Sequence, residues 1–263
     1  EVARYLEGQE SNSNQSLISV IQAGNNPHSK LLLLPYACGS ASSFVELTRL
    51  LPDDVSVLSV SPPDSWNDGS TDITAMAKQI IDALVVYEDE LPWVVAGYSF
   101  GGVLASELVR QLELAEKAPV ALVLIATAPP GTHQETDLIL SADDESIVRY
   151  SREVYDFDTN ALSVEELRSY LRQLRSQTFV MARHRFEDAQ KLRTPTLNLI
   201  GVDEEDAELA VTYKRWETIF LNCTSEQLPG GHMLIKSHTK ALAERLKRVL
   251  DASRIKGGAP RFL

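Results

Sequence analysis

The residue of this 263-residue chain best suited to chemistry is a serine between two glycines. Residues 97–101 read Gly-Tyr-Ser-Phe-Gly, with Ser99 at the centre. The apolar run Trp93–Ala96 before them predicts a buried strand, and Gly102–Leu112, with leucines at helical spacing, predicts a helix. A strand, a glycine-flanked serine and a helix form a nucleophile elbow, in which a tight turn presents the hydroxyl at the helix N-terminus. Ser99 is therefore predicted to be a nucleophile.

A serine hydroxyl needs a general base, and histidine is the most common one. The chain has five histidines, and His232 lies in a Pro-Gly-Gly-His-Met loop between a weak strand and the last helix. The two glycines allow a tight loop that can direct the imidazole back over the sheet. His28, His133, His184 and His238 fall in a turn, in the middle of the chain or in the closing helix, where surface, core or capping roles are expected.

An acid that orients the imidazole should come between the serine and the histidine in the chain. Thr196–Ile200 reads as a strand that ends at Gly201, and residues 203–206, Asp-Glu-Glu-Asp, follow it. An acid just past the carboxyl end of a strand can reach across the top of the sheet. The preceding predicted strand, Val120–Ala126, is followed by no carboxylate. At most one acid of residues 203–206 is expected to be catalytic, because a run of charges is normally solvated.

Serine chemistry also needs N–H donors for the oxyanion of the tetrahedral intermediate. The N–H of Phe100, directly after the nucleophile, is one candidate. The second is expected in the loop after an early strand. Leu31–Leu34 predicts that strand, and the small residues of loop 35–42 let a backbone N–H, that of Ala37, face the site. Cys38 in this loop has no base beside it and is expected to be structural, because unactivated thiols are inert.

The remaining pattern alternates strands and helices, which is typical of an α/β fold with a mostly parallel sheet and helices on both faces. Residues 131–190 break the alternation, because they show helical periodicity and no strand. Three helical patterns fall there, at Asp143–Val154, Ser163–Ser176 and Gln177–Gln190. An insert after the strand that follows the elbow is expected to cover Ser99 as a lid. The prediction is one domain over residues 1–263 with a helical lid insertion at 131–190.

Composition narrows the classes of function. A net charge of −12 argues against nucleic acid as a partner, since nucleic acid demands basic surface. No apolar run approaches the roughly 18 residues of a membrane span, so no membrane association is expected. Two cysteines suit a reducing cytoplasm. Metal-ligand spacings and phosphate-binding or dinucleotide fingerprints are absent from the sequence, so neither a metal nor another cofactor is expected. Arginines between Arg149 and Arg193 make the one candidate basic region.

Three segments together resemble the thioesterases of polyketide and nonribosomal peptide assembly lines. They are Pro-Tyr-Ala-Cys-Gly-Ser-Ala at 35–41, Gly-Tyr-Ser-Phe-Gly-Gly at 97–102 and Pro-Gly-Gly-His-Met at 229–233. The resemblance covers roughly residues 30–250 and is strongest to type II thioesterases, whose first motif usually reads P-F-A-G-G-S-A. It implies an α/β-hydrolase fold, with Ser99 as nucleophile, His232 as base, and the N–H groups of Ala37 and Phe100 as oxyanion donors.

The resemblance also bears on the acid. That family usually has an aspartate three residues after the glycine that ends the strand, and this chain has Glu204 there. Asp203 comes just before it, and Asp206 is the third candidate.

The implied reaction is attack on an acyl thioester of a carrier protein's phosphopantetheine arm, through an acyl-serine intermediate. The partner is then an acyl or peptidyl carrier protein, and the enzyme needs no cofactor of its own. A discrete editing hydrolase and a domain fused to a synthase both fit, with release by hydrolysis or by cyclisation. Two other readings use the same fold. One is a small-molecule carboxylesterase or lipase; the other is a non-catalytic hydrolase-like ligand-binding protein, against which the Ser99–His232 pair argues.

Overall fold

A computed structural model describes residues 16–130, 139–186, 191–202, 212 and 214–254. Its strands are β1 Ile18–Gln22, β2 Ser29–Leu34, β3 Val55–Val60, β4 Trp93–Tyr98, β5 Ala121–Ile125, β6 Thr196–Gly201 and β7 Cys223–Leu228. Its α-helices are α1 Val45–Thr48, α2 Ile73–Leu84, α3 Phe100–Leu114, α4 Asp144–Glu153, α5 Val164–Arg183, α6 Trp216–Ile219, α7 Leu234–Ser237 and α8 Thr239–Ser253. Short 3₁₀ turns at Ala41–Phe44, Asp64–Trp66, Val85–Tyr87 and Thr159–Ala161 complete the elements.

The seven strands form one sheet in the order β1-β3-β2-β4-β5-β6-β7. β1 pairs antiparallel with β3 at one edge, and every other pairing is parallel. The parallel strands read as continuous apolar runs, and Leu31 to Leu34 are all fully buried. Such runs are expected where helices cover both faces of a sheet. The predicted mostly parallel α/β sheet is confirmed.

Each face of the sheet has its own core. One contains side chains of α2 and α3, including Ile80 and Leu104, and the other contains side chains of α1, α7 and α8, including Leu47 and Leu246. α2 begins after Asp72, whose carboxylate accepts a hydrogen bond from the Ala75 N–H. Such a cap satisfies one of the free N–H groups of a helix start.

The segment between β5 and β6 contains helices and, in the part that the structure describes, no strand of the sheet. Its two helices, α4 and α5, enclose a small core of their own, made of Ile139, Ile147, Leu171 and Leu174. The prediction of two separate helices, at Ser163–Ser176 and Gln177–Gln190, was wrong. A single helix, α5, runs unbroken through residues 176 and 177. The sequence has no glycine, proline or capping residue there that would end a helix, whereas Ser163 and Glu166 form a capping box at its start. Residues 187–190 lie outside the described residues.

No helix within the described ranges is both long enough and apolar enough to cross a membrane.

Candidate active site

Ser99 occupies the turn between β4 and α3 at the carboxyl edge of the central strand. Its backbone lies at φ 50°, ψ −117°. Residues other than glycine rarely adopt this conformation, because it is strained. Neighbouring backbone holds it there: the Ser99 N–H donates to Ile125 O at 2.9 Å, and the Ser99 carbonyl accepts from Gly102 N–H at 2.8 Å. The hydroxyl therefore stands at the N-terminus of a 15-residue helix, where N–H groups and the helix dipole favour negative charge.

The elbow is close-packed enough to require its glycines. A Cβ at Gly101 would lie 2.2 Å from the Leu34 carbonyl oxygen, and one at Gly97 would lie 2.2 Å from the Gly101 carbonyl oxygen. Since these obstacles are backbone atoms, no side chain could be accommodated by a rotamer change. The two glycines of the motif thus let the elbow approach β2 and the start of α3.

His232 lies opposite Ser99. Its Nε2 is 3.2 Å from Ser99 Oγ, across 133 residues of sequence. The loop that carries it is held from the elbow itself, because the Tyr98 hydroxyl donates to the His232 carbonyl at 2.5 Å and accepts from the Ile235 N–H at 3.3 Å. Gly230, at φ 103°, supplies the turn before the histidine. The structure therefore brings the predicted nucleophile and base to hydrogen-bond distance.

The loop after β2 approaches the same site. The Gly39 N–H donates to the Tyr36 carbonyl at 2.8 Å, which closes a turn around Ala37 and Cys38. Within the described residues, neither the Ala37 N–H nor the Phe100 N–H has a hydrogen-bond acceptor. Both N–H groups are thus free to donate to a bound group.

A cavity of about 90 Å³ contains the Ser99–His232 pair. Its lining combines the elbow, the loop after β2, the histidine loop and residues of the segment between β5 and β6. The lining residues are Tyr36, Ala37, Cys38, Ser99, Tyr155, Phe157, Tyr170, His232, Met233 and Lys236. Phe157 and Tyr170 stack with their ring centroids 4.7 Å apart. The segment between β5 and β6 therefore forms one wall of the cavity.

Lys236 connects that wall to the histidine loop. Its Nζ donates to the carbonyls of Tyr155 and Asp156, at 3.2 and 2.5 Å. The Tyr155 ring lies 5.4 Å from the His232 ring between centroids. The lysine thus ties the aromatic wall to the segment that follows His232.

The thiol of Cys38, which lines the cavity, is expected to be unreactive. Burial raises the pKa of the Cys38 thiol well above its usual range. The thiol therefore stays protonated at neutral pH, and a thiol is a far weaker nucleophile than a thiolate. This agrees with the structural role predicted for Cys38.

The other predicted residues fall elsewhere. The acid cluster at residues 203–206, with Asp203, Glu204 and Asp206, lies outside the described residues, as does His133. His28 contacts Asp54, His184 lies buried near Glu107, and His238 precedes α8. In the portion of the chain with described coordinates, no group of three His, Cys, Asp or Glu side chains could hold a metal ion.

Five residues of the site were missed from the sequence: Tyr98, Tyr155, Phe157, Tyr170 and Lys236. Tyr98 occupies a variable position of the elbow motif, so the motif gives it no role. The other four come from segments whose position near Ser99 depends on the tertiary fold. The one usable signal in the sequence was that the insert follows β5 directly, which predicts that some of its aromatic residues lie near Ser99.

Taken together, the sheet, elbow and Ser–His pair define an α/β hydrolase. Residues 29–250 match the family described as "Thioesterase domain". The chain belongs to the thioesterase family.

Similar proteins agree with this assignment. The chain is 29% identical over 240 residues to the AMB antimetabolite synthetase AmbE of Pseudomonas aeruginosa, covering 89% of this chain but 11% of AmbE. It is 26% identical over 231 residues to the gramicidin S biosynthesis protein GrsT of Aneurinibacillus migulanus, covering 82% of this chain and 87% of GrsT. In fold it is similar to YbtT, a type II thioesterase from the yersiniabactin NRPS/PKS biosynthetic pathway. The TM-score is 0.77 at 21% identity, over 91% of this chain and 100% of YbtT.

Proposed function

We propose that this thioesterase cleaves acyl chains from the phosphopantetheine arm of a carrier protein, with Ser99 as nucleophile and His232 as general base. The observation that carries the proposal is the 3.2 Å contact between Ser99 Oγ and His232 Nε2 in a strained elbow at a helix N-terminus. A nucleophile and base at this distance are the signature of covalent catalysis by serine.

In the first half of the reaction, Oγ attacks the thioester carbonyl carbon while Nε2 takes the hydroxyl proton. The carbonyl π electrons move onto its oxygen, and the oxyanion accepts hydrogen bonds from the N–H groups of Ala37 and Phe100. Collapse of this intermediate breaks the C–S bond. The departing sulfur takes the proton from His232, which leaves an acyl ester on Ser99. An acid among residues 203–206, Glu204 foremost, orients the imidazole.

In the second half, water gives a proton to Nε2 and attacks the acyl carbonyl. The second intermediate collapses, Ser99 Oγ leaves with the proton returned by His232, and the acid is released. A hydroxyl or amine within the acyl chain can take the place of water, which would release a ring. The chain's own residues suffice for these steps, because the phosphopantetheine belongs to the partner.

The names of the similar proteins support a carrier protein as partner. AmbE is a synthetase and YbtT a type II thioesterase from an NRPS/PKS pathway. Since the chain matches 11% of AmbE but 87% of GrsT, homologous segments occur both within a much longer protein and as nearly a whole one. Fused and discrete settings therefore both suit this domain.

The cavity size favours removal of small acyl groups over release of a finished product. A cavity needs at least about 10–15 Å³ to hold one water molecule, so a cavity of about 90 Å³ is small. Pockets for drug-sized ligands are several times larger. We propose that residues 131–190 act as a lid on a single domain and that their aromatic side chains limit the acyl length.

The test of this function is Ser99→Ala. The substitution removes the nucleophile and keeps the elbow glycines, so the fold should persist while thioester hydrolysis falls by at least about a thousandfold. Hydrolysis of an acyl-loaded carrier protein and intact-protein mass spectrometry are the measurements. The wild-type enzyme should gain the mass of the acyl group at Ser99, and the variant should not.

Controls distinguish the alternative functions. A fluorophosphonate probe should label the wild-type protein and not the variant, whereas a binding protein without an activated serine would label poorly. A free ester of the same acyl group separates an esterase from a carrier-directed thioesterase. If Ser99→Ala keeps more than a tenth of the wild-type rate, the mechanism is wrong.

A further inference from the structure

The insert helix α5 makes a direct hydrogen bond to the loop after β2. The Cys38 N–H donates to the side-chain oxygen Oε1 of Gln177 at 2.8 Å, across 139 residues of sequence. Gln177 is 1% exposed, so water does not compete for the contact. A backbone N–H can only donate, so the accepting end of the amide must face it.

The same loop residue contacts α5 a second time. Cys38 Sγ lies 3.7 Å from the Tyr170 carbonyl oxygen. Tyr170 and Gln177 are two helical turns apart and thus share one face of α5. Ala37 and Cys38 also pack against the small core that contains Leu171 and Leu174. The loop and α5 therefore form one packed unit.

These contacts fix the two peptide planes on either side of Ala37. The bond from Gly39 N–H to the Tyr36 carbonyl holds the plane that also contains the Ala37 N–H. Because that peptide is planar and trans, its N–H points away from its held carbonyl. The bond from Cys38 N–H to Gln177 holds the next plane.

The loop needs such support, because Cys38 adopts φ 62°. The left-handed region is unfavourable for every residue except glycine, because the Cβ atom clashes with the backbone. Such a residue remains in this region only where the surrounding structure holds it. Gln177 provides the side-chain hydrogen bond that holds this residue.

We propose that Gln177 is a positioning residue for the oxyanion hole. By holding the Ala37–Cys38 peptide, it keeps the Ala37 N–H directed at the developing oxyanion, and it makes catalysis depend on the docking of α5. The inference rests on the proposed function, since it presumes that Ala37 donates to the oxyanion.

The test is Gln177→Met, which keeps the length and burial of the side chain and removes its acceptor. Removing an oxyanion donor outright lowers kcat by about a hundredfold to a thousandfold. A mispositioned donor should therefore lower kcat by about tenfold, while KM stays within about twofold. The matched control is Gln173→Met, the same change one turn earlier on α5 at a half-buried position, which should leave kcat unchanged.

An alkyl trifluoromethyl ketone separates positioning from packing. The ketone forms a tetrahedral adduct with the serine, so its oxyanion occupies the hole and its affinity tracks stabilisation of the transition state. In Gln177→Met its inhibition constant should rise by the same factor by which kcat/KM falls. A wild-type kcat, or an unchanged inhibition constant beside a loss of activity, overturns the proposal.

Hydrogen exchange on the wild-type protein tests the coupling even where the variant does not fold. The Cys38 amide should exchange as slowly as the amides of α5 around Gln177, because opening requires that bond to break. Rapid exchange at Cys38 beside a protected α5 overturns the proposal. Failure of the proposed function looks different: Ser99 would then not be labelled by fluorophosphonate in the wild-type protein, whatever the state of Gln177.

Discussion

Ser99, the proposed nucleophile, has a strained backbone. A residue held at φ 50°, ψ −117° carries a backbone cost of about 1–3 kcal/mol, which its surroundings must offset. Bonds to Ile125 and Gly102 and the packing of Gly101 against β2 do so. The sequence could predict this residue because a strained turn needs glycines at fixed positions, and glycines are visible in a sequence. It could not predict Tyr98, whose hydroxyl holds the histidine loop, because a tyrosine at that position has no spacing signature.

At the same scale, the acid of the triad can be identified by single substitutions. We expect Glu204→Gln to be the slowest of the changes across residues 203–206, followed by Asp203→Asn and then Asp206→Asn. The reason is that an uncharged amide can no longer stabilise the imidazolium, and loss of that acid typically costs about 10⁴-fold in kcat. The rate of thioester hydrolysis by each variant is the measurement.

Glu205→Gln serves as the matched control in the same run of charges. Equal activity in all four variants would show that the orienting acid lies elsewhere in the chain.

At the scale of elements, a buried charged cluster joins α3 to the end of α5. Glu107 of α3 is fully buried, and Arg110 donates to both of its carboxylate oxygens at 2.8 Å. Gln111 donates to the same carboxylate at 2.8 Å. His184, just beyond α5, places its Nε2 3.6 Å from Glu107. The end of the insert helix α5 therefore packs beside the buried Glu107–Arg110 ion pair of α3.

This junction should make stability depend on pH. Burial, only partly opposed by the charge of Glu107, lowers the pKa of His184 below its usual value, and the charge of Arg110 lowers it further. The unfolded chain then binds more protons than the folded one, so the free energy of unfolding rises with pH. Stability should be complete above about pH 6.5 and fall below it, by at most about 1.4 kcal/mol per pH unit.

Urea unfolding of the wild type and His184→Gln at pH 7.5 and 5.5 measures this effect. When the pH falls from 7.5 to 5.5, the free energy of unfolding should decrease less in His184→Gln than in the wild type. Between pH 7.5 and 9 the difference between the two proteins should be constant, which serves as the internal control. If the difference in free energy of unfolding between wild type and variant is the same at pH 5.5 and at pH 7.5, the prediction is wrong.

The elements themselves were largely predictable. Continuous leucines at 31–34 indicate a strand buried on both faces, and Asp72 marks a helix start. The division of α5 into two helices was wrong because an amphipathic pattern alone does not show where a long helix stops. Contacts between elements distant in sequence, such as Gln177 with Cys38, follow from tertiary packing and leave no local pattern.

At the scale of the whole molecule, charge governs how partners approach. The net charge of −12 would repel an acidic partner. If the proposed carrier protein is acidic, its docking needs a local basic surface. The basic region predicted between Arg149 and Arg193 is only partly available. Arg175 donates to the carbonyls of Ile139 and Ala142 and to Asp144. Arg168 and Arg172, by contrast, are exposed on α5.

Reversing Arg168 and Arg172 to Glu should therefore weaken activity on a carrier-bound substrate and leave activity on a free acyl N-acetylcysteamine thioester unchanged. Long-range attraction to an acidic partner depends on such charges, and raising the salt concentration should weaken the wild-type activity in the same way. The values of kcat/KM for both substrates, at low and high salt, are the measurement.

The matched control is reversal of Lys240 and Arg248, which are exposed on α8 across the sheet. It changes the net charge equally and should have a smaller effect. Equal loss on both substrates would mean that Arg168 and Arg172 stabilise the insert and do not dock a carrier.

The strand order also dictates how the site comes together during synthesis. β4, β5, β6 and β7 lie side by side in the order in which they leave the ribosome, so each can join an open edge of the sheet. Among the described strands, only β3 must enter between two earlier ones. The elbow is complete once β4 and α3 have paired with β2, but the histidine loop follows β7, the last strand made. Ser99 is therefore made 133 residues before His232, and the proposed nucleophile lacks its proposed base until β7 is in place.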